Sequence, residues 1–396
     1  GTATAKISGT QYIYHIGGTS NGGATIYSTV YKATISSTGD IGTLSTTTQA
    51  QLLANNGFAP ILSANISGTN YIYVIGGWNA NNTEVSTVYK ASINSTGDVQ
   101  SFATTTQSQL PVTLAETSAN IAQIGSSTYL YVIGGYNAGA TKVSTVYKAT
   151  INSSGDISTA FDTTSQAQLP AIMSSHNSAI ANIGGKNYLY VTTGNGNAVN
   201  ASIVYKATID ESGNIGTFST VGQGQSPGNV TYAQTLVAKV NGQNYIYIVG
   251  GHNDTTPISN AYRASLSSSG DVGVFSTVGQ AQPAIALSHF GPNASKIVNI
   301  GGTQYLYLFG GYNGSAYTSL VYKSTIDSDT GSVRNFTQTG VTEEMIGDVK
   351  GTWGFTETSG SLADSSFRAN YLEDEVAPTY SVRGVRNTAL TFNGTS

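Results

Sequence analysis

The chain has no cysteine and only 2 methionines, 2 tryptophans and 4 histidines among its 396 residues. Without cysteine there can be no disulfide, thiolate metal site or thiol catalysis. Charged residues are scarce as well, at 9% against roughly 25% in an average globular protein. The net charge of −4 leaves no basic patch, which argues against a nucleic-acid partner. No apolar run approaches the ~20 residues of a membrane helix, so we expect no membrane span.

In place of charge the chain carries 47 glycines, 25 tyrosines and many short polar residues. This composition favours an extracellular or cell-surface location. A start at Gly-Thr rather than Met is expected of a processed product or a fragment. Residues 1–340 hold 24 charged side chains, whereas residues 341–396 hold 12 within a much shorter stretch. The change in charge density predicts a domain boundary at Gly340.

Three sequence markers recur in phase along residues 1–340. The first is Tyr71-Ile-Tyr-Val-Ile-Gly-Gly77 and its five counterparts, the second is Val-Tyr-Lys, and the third is a Ser/Thr-Gly-Asp turn. Six copies of three markers in register indicate a repeat architecture with a period of about 58 residues. The tyrosines of the second marker are Tyr31, Tyr89, Tyr147, Tyr205, Tyr262 and Tyr322.

Each copy is predicted to form four short strands separated by Gly, Asn, Ser and Thr turns. In the second copy these would be 61–66, 71–75, 87–93 and 98–104. Four strands repeated six times predict an all-β fold, a six-bladed β-propeller with four-stranded blades. The glycine pair would let backbones approach closely. The repeated tyrosines, together with phenylalanines such as Phe102, would fill the space between blades.

Four hydrophobic residues, a Gly-Gly pair, an aromatic residue and Asn resemble the kelch-type repeat, as in Gly76-Gly-Trp-Asn79 and Gly310-Gly-Tyr-Asn313. The resemblance covers about 340 residues and implies a propeller. The usual outer-strand Trp is replaced by Phe or by Leu44, and Thr193 stands for the first Gly of the fourth copy. Kelch-type propellers include both enzymes and binding modules, so the resemblance leaves the activity open.

Residues 341–396 resemble the opening of a laminin-G-like, concanavalin-type jelly roll. The similarity lies in Gly351-Thr-Trp-Gly-Phe-Thr-Glu and in Ala389-Leu-Thr-Phe-Asn-Gly-Thr-Ser396. A segment this short cannot bury a sandwich core alone, so it is interpreted as an incomplete β-sandwich. The side of the propeller, a neighbouring subunit or further chain could cover its apolar faces, and one of the last two is expected because the propeller shows no obvious apolar surface. The residues predicted to make that inter-subunit contact are Trp353, Phe355, Leu390 and Phe392.

No residue set predicts catalysis, a cofactor or a metal. His15, His176, His252 and His289 lack the spacing of metal ligands and are interpreted as structural or surface residues. The acids of the third marker recur once per repeat and are interpreted as turn residues. Paired carboxylates for glycoside hydrolysis would be unique rather than repeated. The chain is therefore predicted not to be an enzyme.

The loops after the glycine pairs are the candidate ligand face. Exposed aromatic rings beside Asn amides would stack on sugar rings and bond their hydroxyls. The alternative is that each aromatic residue packs over its own turn. Thr19 and Asn195 occupy the aromatic position in the first and fourth copies. The candidate residues are Trp78, Asn79, Tyr136, Asn137, His252, Asn253, Tyr312 and Asn313.

Two functions from different classes remain. The first is a non-enzymatic extracellular structural or adhesive protein of a surface layer, filament or appendage, with other protein subunits as partners. The second is a secreted carbohydrate-binding module that serves a catalytic segment outside this chain, with glycans as partners. An anchor or sorting signal encoded beside the chain would favour the first function, and a catalytic domain would favour the second.

Overall fold

The computed structural model describes residues 1–20, 24–139, 141–196, 202–226, 228–253, 256–288 and 291–342, together with four short strands nearer the C-terminus. The described residues form strands and turns and contain no helix, so the all-β prediction is confirmed. None of them forms a helix long and apolar enough to cross a membrane. The chain divides into two compact units, Gly1–Gly340 and Val341–Ser396.

The described residues of the first unit form six antiparallel sheets of three or more strands, one for each repeat in chain order. The first strand of each repeat pairs with the second and the second with the third. Repeat 1 has its own complete first strand. First strands are Thr2–Ile7, Ile61–Ile66, Ser118–Ile124, Asn177–Ile183, Gln234–Val240 and Lys296–Ile300; second strands are Thr10–Ile16, Thr69–Ile75, Ser127–Ile133, Lys186–Thr192, Gln243–Val249 and Thr303–Phe309; third strands are Val30–Ile35, Val88–Ile93, Val146–Ile151, Val204–Ile209, Ala261–Leu266 and Val321–Ile326.

The predicted fourth strand is mostly reduced to isolated backbone pairs. In repeat 2, Lys90 pairs with Ala103, and Ile93 pairs with Val99. Within the part of the chain that the structure describes, repeat 6 alone has a sheet of four strands, the last being Thr337–Gln338. Elsewhere the outer segment bends after its turn and meets the third strand at separate points. Short strands also lie in the loops, at Thr19–Ser20, Thr25–Ile26, Tyr136–Asn137 and Thr141–Lys142, and Thr43–Leu44 lies in the outer segment of repeat 1.

Hydrophobic packing joins each sheet to the next. The described residues form six apolar clusters, each drawn from two neighbouring repeats. Phe102 of repeat 2 lies among residues of repeat 1 such as Tyr14 and Ile16, as predicted for a residue between repeats. The cluster that contains Ile13 and Leu44 of repeat 1 also contains Tyr307 of repeat 6. The last repeat therefore packs against the first.

The three sequence markers meet at the contact between neighbouring repeats, which we call the clasp. The buried Tyr14 of repeat 1 donates its hydroxyl hydrogen bond to the carbonyl of Gly97 in repeat 2, at 2.8 Å. The ring of Tyr12 lies against Gly97, where a Cβ would come within 2.7 Å of it. Gly97 has φ +81, a conformation that glycine adopts without strain. The same hydroxyl-to-glycine bond joins Tyr73 to Gly155, Tyr131 to Gly213, Tyr190 to Gly270, Tyr247 to Gly331 and Tyr307 to Gly39.

The lysine of the second marker completes the clasp. Lys32 of repeat 1 lies over the Tyr12 ring at 5.6 Å and pairs with Asp98 of repeat 2 at 2.5 Å. Lys323 of repeat 6 pairs with Asp40 of repeat 1. The acids of the third marker are thus turn residues, as predicted, and they also receive a cation from the preceding repeat.

A buried glutamine supports each of the first five clasps. Gln107 donates to Asp156 at 2.9 Å and accepts the backbone N–H of Ile157 at 2.9 Å. In the contact between repeats 6 and 1, Thr339 takes this place and its hydroxyl accepts the N–H of Ile41 at 2.8 Å. The corresponding glutamines are Gln49, Gln166, Gln223 and Gln280.

The second unit is described only at short strands. Leu362–Ala363 pairs with Tyr371–Leu372, and Thr379–Val382 pairs with Ala389–Thr391. Val341–Thr342 is a further short strand at its start. All pairs are antiparallel, in agreement with the all-β prediction.

Candidate functional site

The loops after the glycine pairs are held by backbone pairing within their own repeats. Trp78 pairs with Gly57, Tyr136 with Ala115, and Tyr312 with Ser288. Each partner lies just ahead of the first strand of the same repeat. His252 and Asn195 pair in the same way with Thr231 and Ser174. Each candidate residue therefore lies at the same end of its own sheet.

The glycine pair makes this close approach possible, as the sequence predicts. Gly76 and Gly77 both have positive φ, at +57 and +101. A Cβ on Gly76 would lie 2.3 Å from the carbonyl oxygen of Leu114, and the N–H of Gly77 donates to that oxygen at 2.7 Å. In repeat 4, Thr193 takes the first glycine position and keeps the left-handed conformation at φ +54.

The aromatic residues of the candidate face pack over their own loops. Trp78 is half-buried, and its ring centroid lies 5.2 Å from that of Phe58. The Tyr312 ring lies 5.1 Å from Tyr317, and its hydroxyl donates to the carbonyl of Gly314 at 2.9 Å. These contacts agree with the interpretation that each aromatic residue packs over its own turn. Binding of a ligand on this face stays a prediction.

The Asn residues use their amide oxygens to shape the loops. Asn79 accepts the backbone N–H of Asn81 at 2.9 Å, and Asn253 accepts that of Thr256 at 2.8 Å. Asn313 accepts the N–H groups of the residues at positions 315 and 316. Such short-range bonds are the usual turn chemistry of Asn. The amide nitrogen of Asn137 donates to the carbonyl of Thr141 at 3.0 Å in the orientation that satisfies both polar atoms.

In the first unit His176 is buried and His15 is half-buried. Burial lowers the pKa of His15 to about 3, and its ring stacks on Phe309 at 6.1 Å. Burial also lowers the pKa of His176 to about 4, and its Nε2 lies 3.0 Å from the Ser118 hydroxyl. His252 is half-buried, and His289 lies outside the described residues. Among the described residues no three His, Asp or Glu side chains form a group that could hold a metal.

Sequence reasoning missed a second feature at this end of the sheets, which we call the lead-in ladder. It consists of Phe58, Glu116, Ser175 and Tyr232, one ahead of the first strand in each of repeats 2 to 5. All four have left-handed φ angles between +49 and +54. The N–H of Glu116 donates to Phe58 at 3.2 Å, that of Ser175 to Glu116 at 3.2 Å, and that of Tyr232 to Ser175 at 2.9 Å. Neighbouring repeats are thus connected backbone to backbone.

Glu116 is the acidic member of the lead-in ladder and is only 3% exposed. Its carboxyl oxygens accept hydrogen bonds from the hydroxyls of Ser175 and Tyr232, the latter at 3.4 Å. Burial raises the pKa of Glu116, and the two hydroxyls and Lys142 oppose that rise without cancelling it. The sequence does contain a sign of this feature, which is a position that varies where the rest of the repeat does not. Among near-identical repeats, this position changes from Phe to Glu to Ser to Tyr.

An open groove lies at the other end of the sheets of repeats 3 and 4, beside their first hairpin turns. It has a volume of about 870 Å³. Polar residues line much of it, including Asn182, Lys186, Asn187 and Asp210. Its amide and charged side chains offer both donors and acceptors to a polar ligand.

The residues predicted to contact another subunit lie in the second unit. Trp353, Phe355 and Phe392 are outside the described residues. Leu390 lies in the strand Ala389–Thr391, whose backbone pairs with Thr379–Val382. The inter-subunit contact therefore stays a prediction.

No family model matches the chain, and no curated protein matches it either.

Proposed function

We propose that residues 1–340 form a closed six-bladed β-propeller of kelch type and that residues 341–396 begin a laminin-G-like jelly roll. The observation that supports the propeller most strongly is the cyclic set of clasps. The hydroxyl of Tyr307 in repeat 6 reaches the carbonyl of Gly39 in repeat 1 at 2.7 Å, as its five counterparts reach the next repeat. A ring of this kind leaves few open sheet edges.

We further propose that the chain is a non-enzymatic structural or adhesive protein at an extracellular surface, working within a larger assembly. Its repeated geometry is devoted to holding repeats together, since tyrosine and glycine recur at all six clasps. Lysine and glutamine each recur at five of them, with Arg263 and Thr339 at the remaining positions. Such a rigid scaffold would position its loops for contact with partners. The low charge of the first unit suits packing against other subunits without strong repulsion.

The outer segments of repeats 4 and 5 supply an apolar contact surface, which we call the valine rim. It consists of Val221, Val274 and Val278, which are 83%, 86% and 81% exposed. In repeat 1 the matching positions, counted from the clasp glutamine and the outer hydrophobic residue, are Thr47 and Thr43. Exposed apolar side chains on neighbouring repeats would supply a protein interaction site if another subunit covers them together. The valine rim therefore supports a role in assembly.

The test is the mass of the full chain in solution, measured by size-exclusion chromatography with light scattering over a concentration series. Assembly predicts species larger than 40.9 kDa that grow with concentration. A variant with V221T, V274T and V278T should shift the series toward the monomer. A matched control with T43S and T47S should leave it unchanged. A full chain that stays monomeric throughout would contradict the assembly role.

Glycan binding is a second candidate function, favoured by the groove of about 870 Å³ between repeats 3 and 4 and by the aromatic loops. A glycan array probed with the full chain tests it. Groove binding predicts that Asn187→Ala weakens the signal, whereas loop binding predicts that Tyr312→Ala does so. The absence of any glycan signal above background would remove this candidate.

A further inference from the structure

The lead-in ladder keeps one backbone conformation while its side chains differ. Left-handed φ angles strain the backbone of non-glycine residues, and glycine would avoid that strain. The chain is rich in glycine, yet it has Phe58, Glu116, Ser175 and Tyr232 here. Three of these side chains converge, because the Ser175 and Tyr232 hydroxyls both donate to the Glu116 carboxyl. Among the described residues Glu116 is the one acidic residue whose side chain is buried.

We propose that Glu116 is a proton-controlled latch that couples the pH of the medium to the packing of the loops around Trp78 and Tyr136. Two connections carry the coupling. The N–H of Glu116 is bonded to Phe58, whose ring packs on Trp78 at 5.2 Å. The residue before Glu116, Ala115, pairs with Tyr136. The proposal does not depend on what those loops bind.

The groups that face Glu116 come from several loops and repeats. Ser175 and Tyr232 reach it by hydrogen bonds, Lys142 favours its charged form, and Glu84 favours its neutral form. His176 lines the same small cavity, but burial lowers its pKa to about 4, so it stays neutral above that pH. Burial raises the pKa of Tyr232 far above the neutral range. Glu116 is therefore the member of this set whose charge is expected to change as the pH rises above 4.5, the ordinary pKa of glutamate.

Burial determines which protonation state of Glu116 favours the closed packing. A neutral carboxyl fits the site, whereas an ionised one loses its hydration and is compensated only in part by two hydroxyls. The adjoining cavity has a volume of about 10 Å³, which is room for a single water molecule. When Glu116 releases its proton to solvent, the ladder must loosen to admit more water. The contact between Phe58 and Trp78 then loosens with it.

The experiment follows Trp78 fluorescence in the full chain carrying Trp353→Phe, which leaves Trp78 as the single tryptophan. We expect the emission to shift to longer wavelength as the pH rises above 4.5, the ordinary pKa of glutamate. Glu116→Gln should abolish the transition. Glu211→Gln, at an exposed turn, is the matched control and should leave it intact.

A second variant keeps the proposal open to refutation if Glu116→Gln does not fold. Ser175→Ala removes a hydrogen bond that favours the charged carboxyl, so the midpoint should move to higher pH. Hydrogen exchange of the segments around residues 58 and 116, corrected for the intrinsic effect of pH, should follow the same midpoint. A transition that persists in Glu116→Gln, or a midpoint that Ser175→Ala leaves in place, would overturn the proposal.

Discussion

The clasp and the lead-in ladder both connect neighbouring repeats, but they do so in opposite ways. The clasp uses nearly the same side chains each time, such as the Tyr14 hydroxyl on Gly97 and its five counterparts. The ladder repeats a backbone conformation and varies the side chain, from Phe58 to Glu116 to Ser175. In a chain built from copies, repeated chemistry serves the stability that every contact needs. The lead-in ladder keeps one conformation but varies its side chain, which fits the proposal that Glu116 has a role in its own repeat alone.

The two regions also respond to pH with opposite signs. Burial alone would raise the pKa of Asp98 in the clasp, but hydrogen bonds from Lys32, Thr48, Thr96 and Gln49 lower it overall. A carboxyl group whose pKa is lowered by folding stabilises the folded state when the pH is above its ordinary pKa. That stabilisation is lost as the pH falls below the ordinary pKa. Glu116 has a raised pKa, so its contribution becomes less favourable as the pH rises. A falling pH should weaken the clasp, whereas a rising pH should weaken the ladder.

The largest effect should come from removing a clasp tyrosine. Tyr131 is fully buried, and its hydroxyl donates to the carbonyl of Gly213 at 2.8 Å. Tyr131→Ala should lower the free energy of unfolding by about 3–5 kcal/mol, as for other large aromatic truncations. Denaturant unfolding of the full chain measures this. Tyr131→Phe keeps the ring and should lose only about 1–3 kcal/mol, so equal losses for the two variants would contradict the packing role of the ring.

A smaller effect is expected from the clasp glutamine. Gln107→Ala leaves the buried N–H of Ile157 without its acceptor and removes a donor from Asp156. The free energy of unfolding should fall by about 1–3 kcal/mol. Gln100→Ala, at an exposed position nearby, serves as the control and should cost less than about 0.5 kcal/mol. A comparable loss in both variants would show that the glutamine has no special role.

The smallest effect should come from the clasp ion pair, and it should depend on pH. The side chains of Lys32 and Asp98 are 20% and 16% exposed, so the pair is partly buried but still reaches solvent. Asp98→Asn should lower the free energy of unfolding at pH 7 by about 1 kcal/mol, the upper end of the range for solvent-accessible pairs. The gap between wild type and variant should shrink as the pH falls below 3.8. Thermal unfolding of both proteins at pH values from 7 to below 3.8 measures this difference in stability. A difference that grows as the pH falls would contradict the expected pH dependence.

The sequence predicted the fold class and the repeat because the three markers recur in register, and periodicity survives without knowledge of contacts. It did not reveal that Tyr14, Lys32 and the Gly97–Asp98 turn meet, since self-comparison shows which residues recur and not which repeat they touch. The prediction of four regular strands overestimated how much of the outer segment is a strand. In five repeats this segment pairs with the third strand only at isolated residues. Glu116 escaped notice because it lies outside every marker and its importance arises from burial.

The closure of the ring is the central claim, and one comparison tests it directly. Tyr73→Phe removes a hydroxyl bond between adjacent repeats 2 and 3, whereas Tyr307→Phe removes the equivalent bond between repeat 6 and repeat 1. Denaturant unfolding of both full-length variants gives the two losses of stability. A closed ring predicts similar losses, each about 1–3 kcal/mol, because each leaves a glycine carbonyl unpaired. A cost for Tyr73→Phe with none for Tyr307→Phe would show that the first and last repeats do not meet.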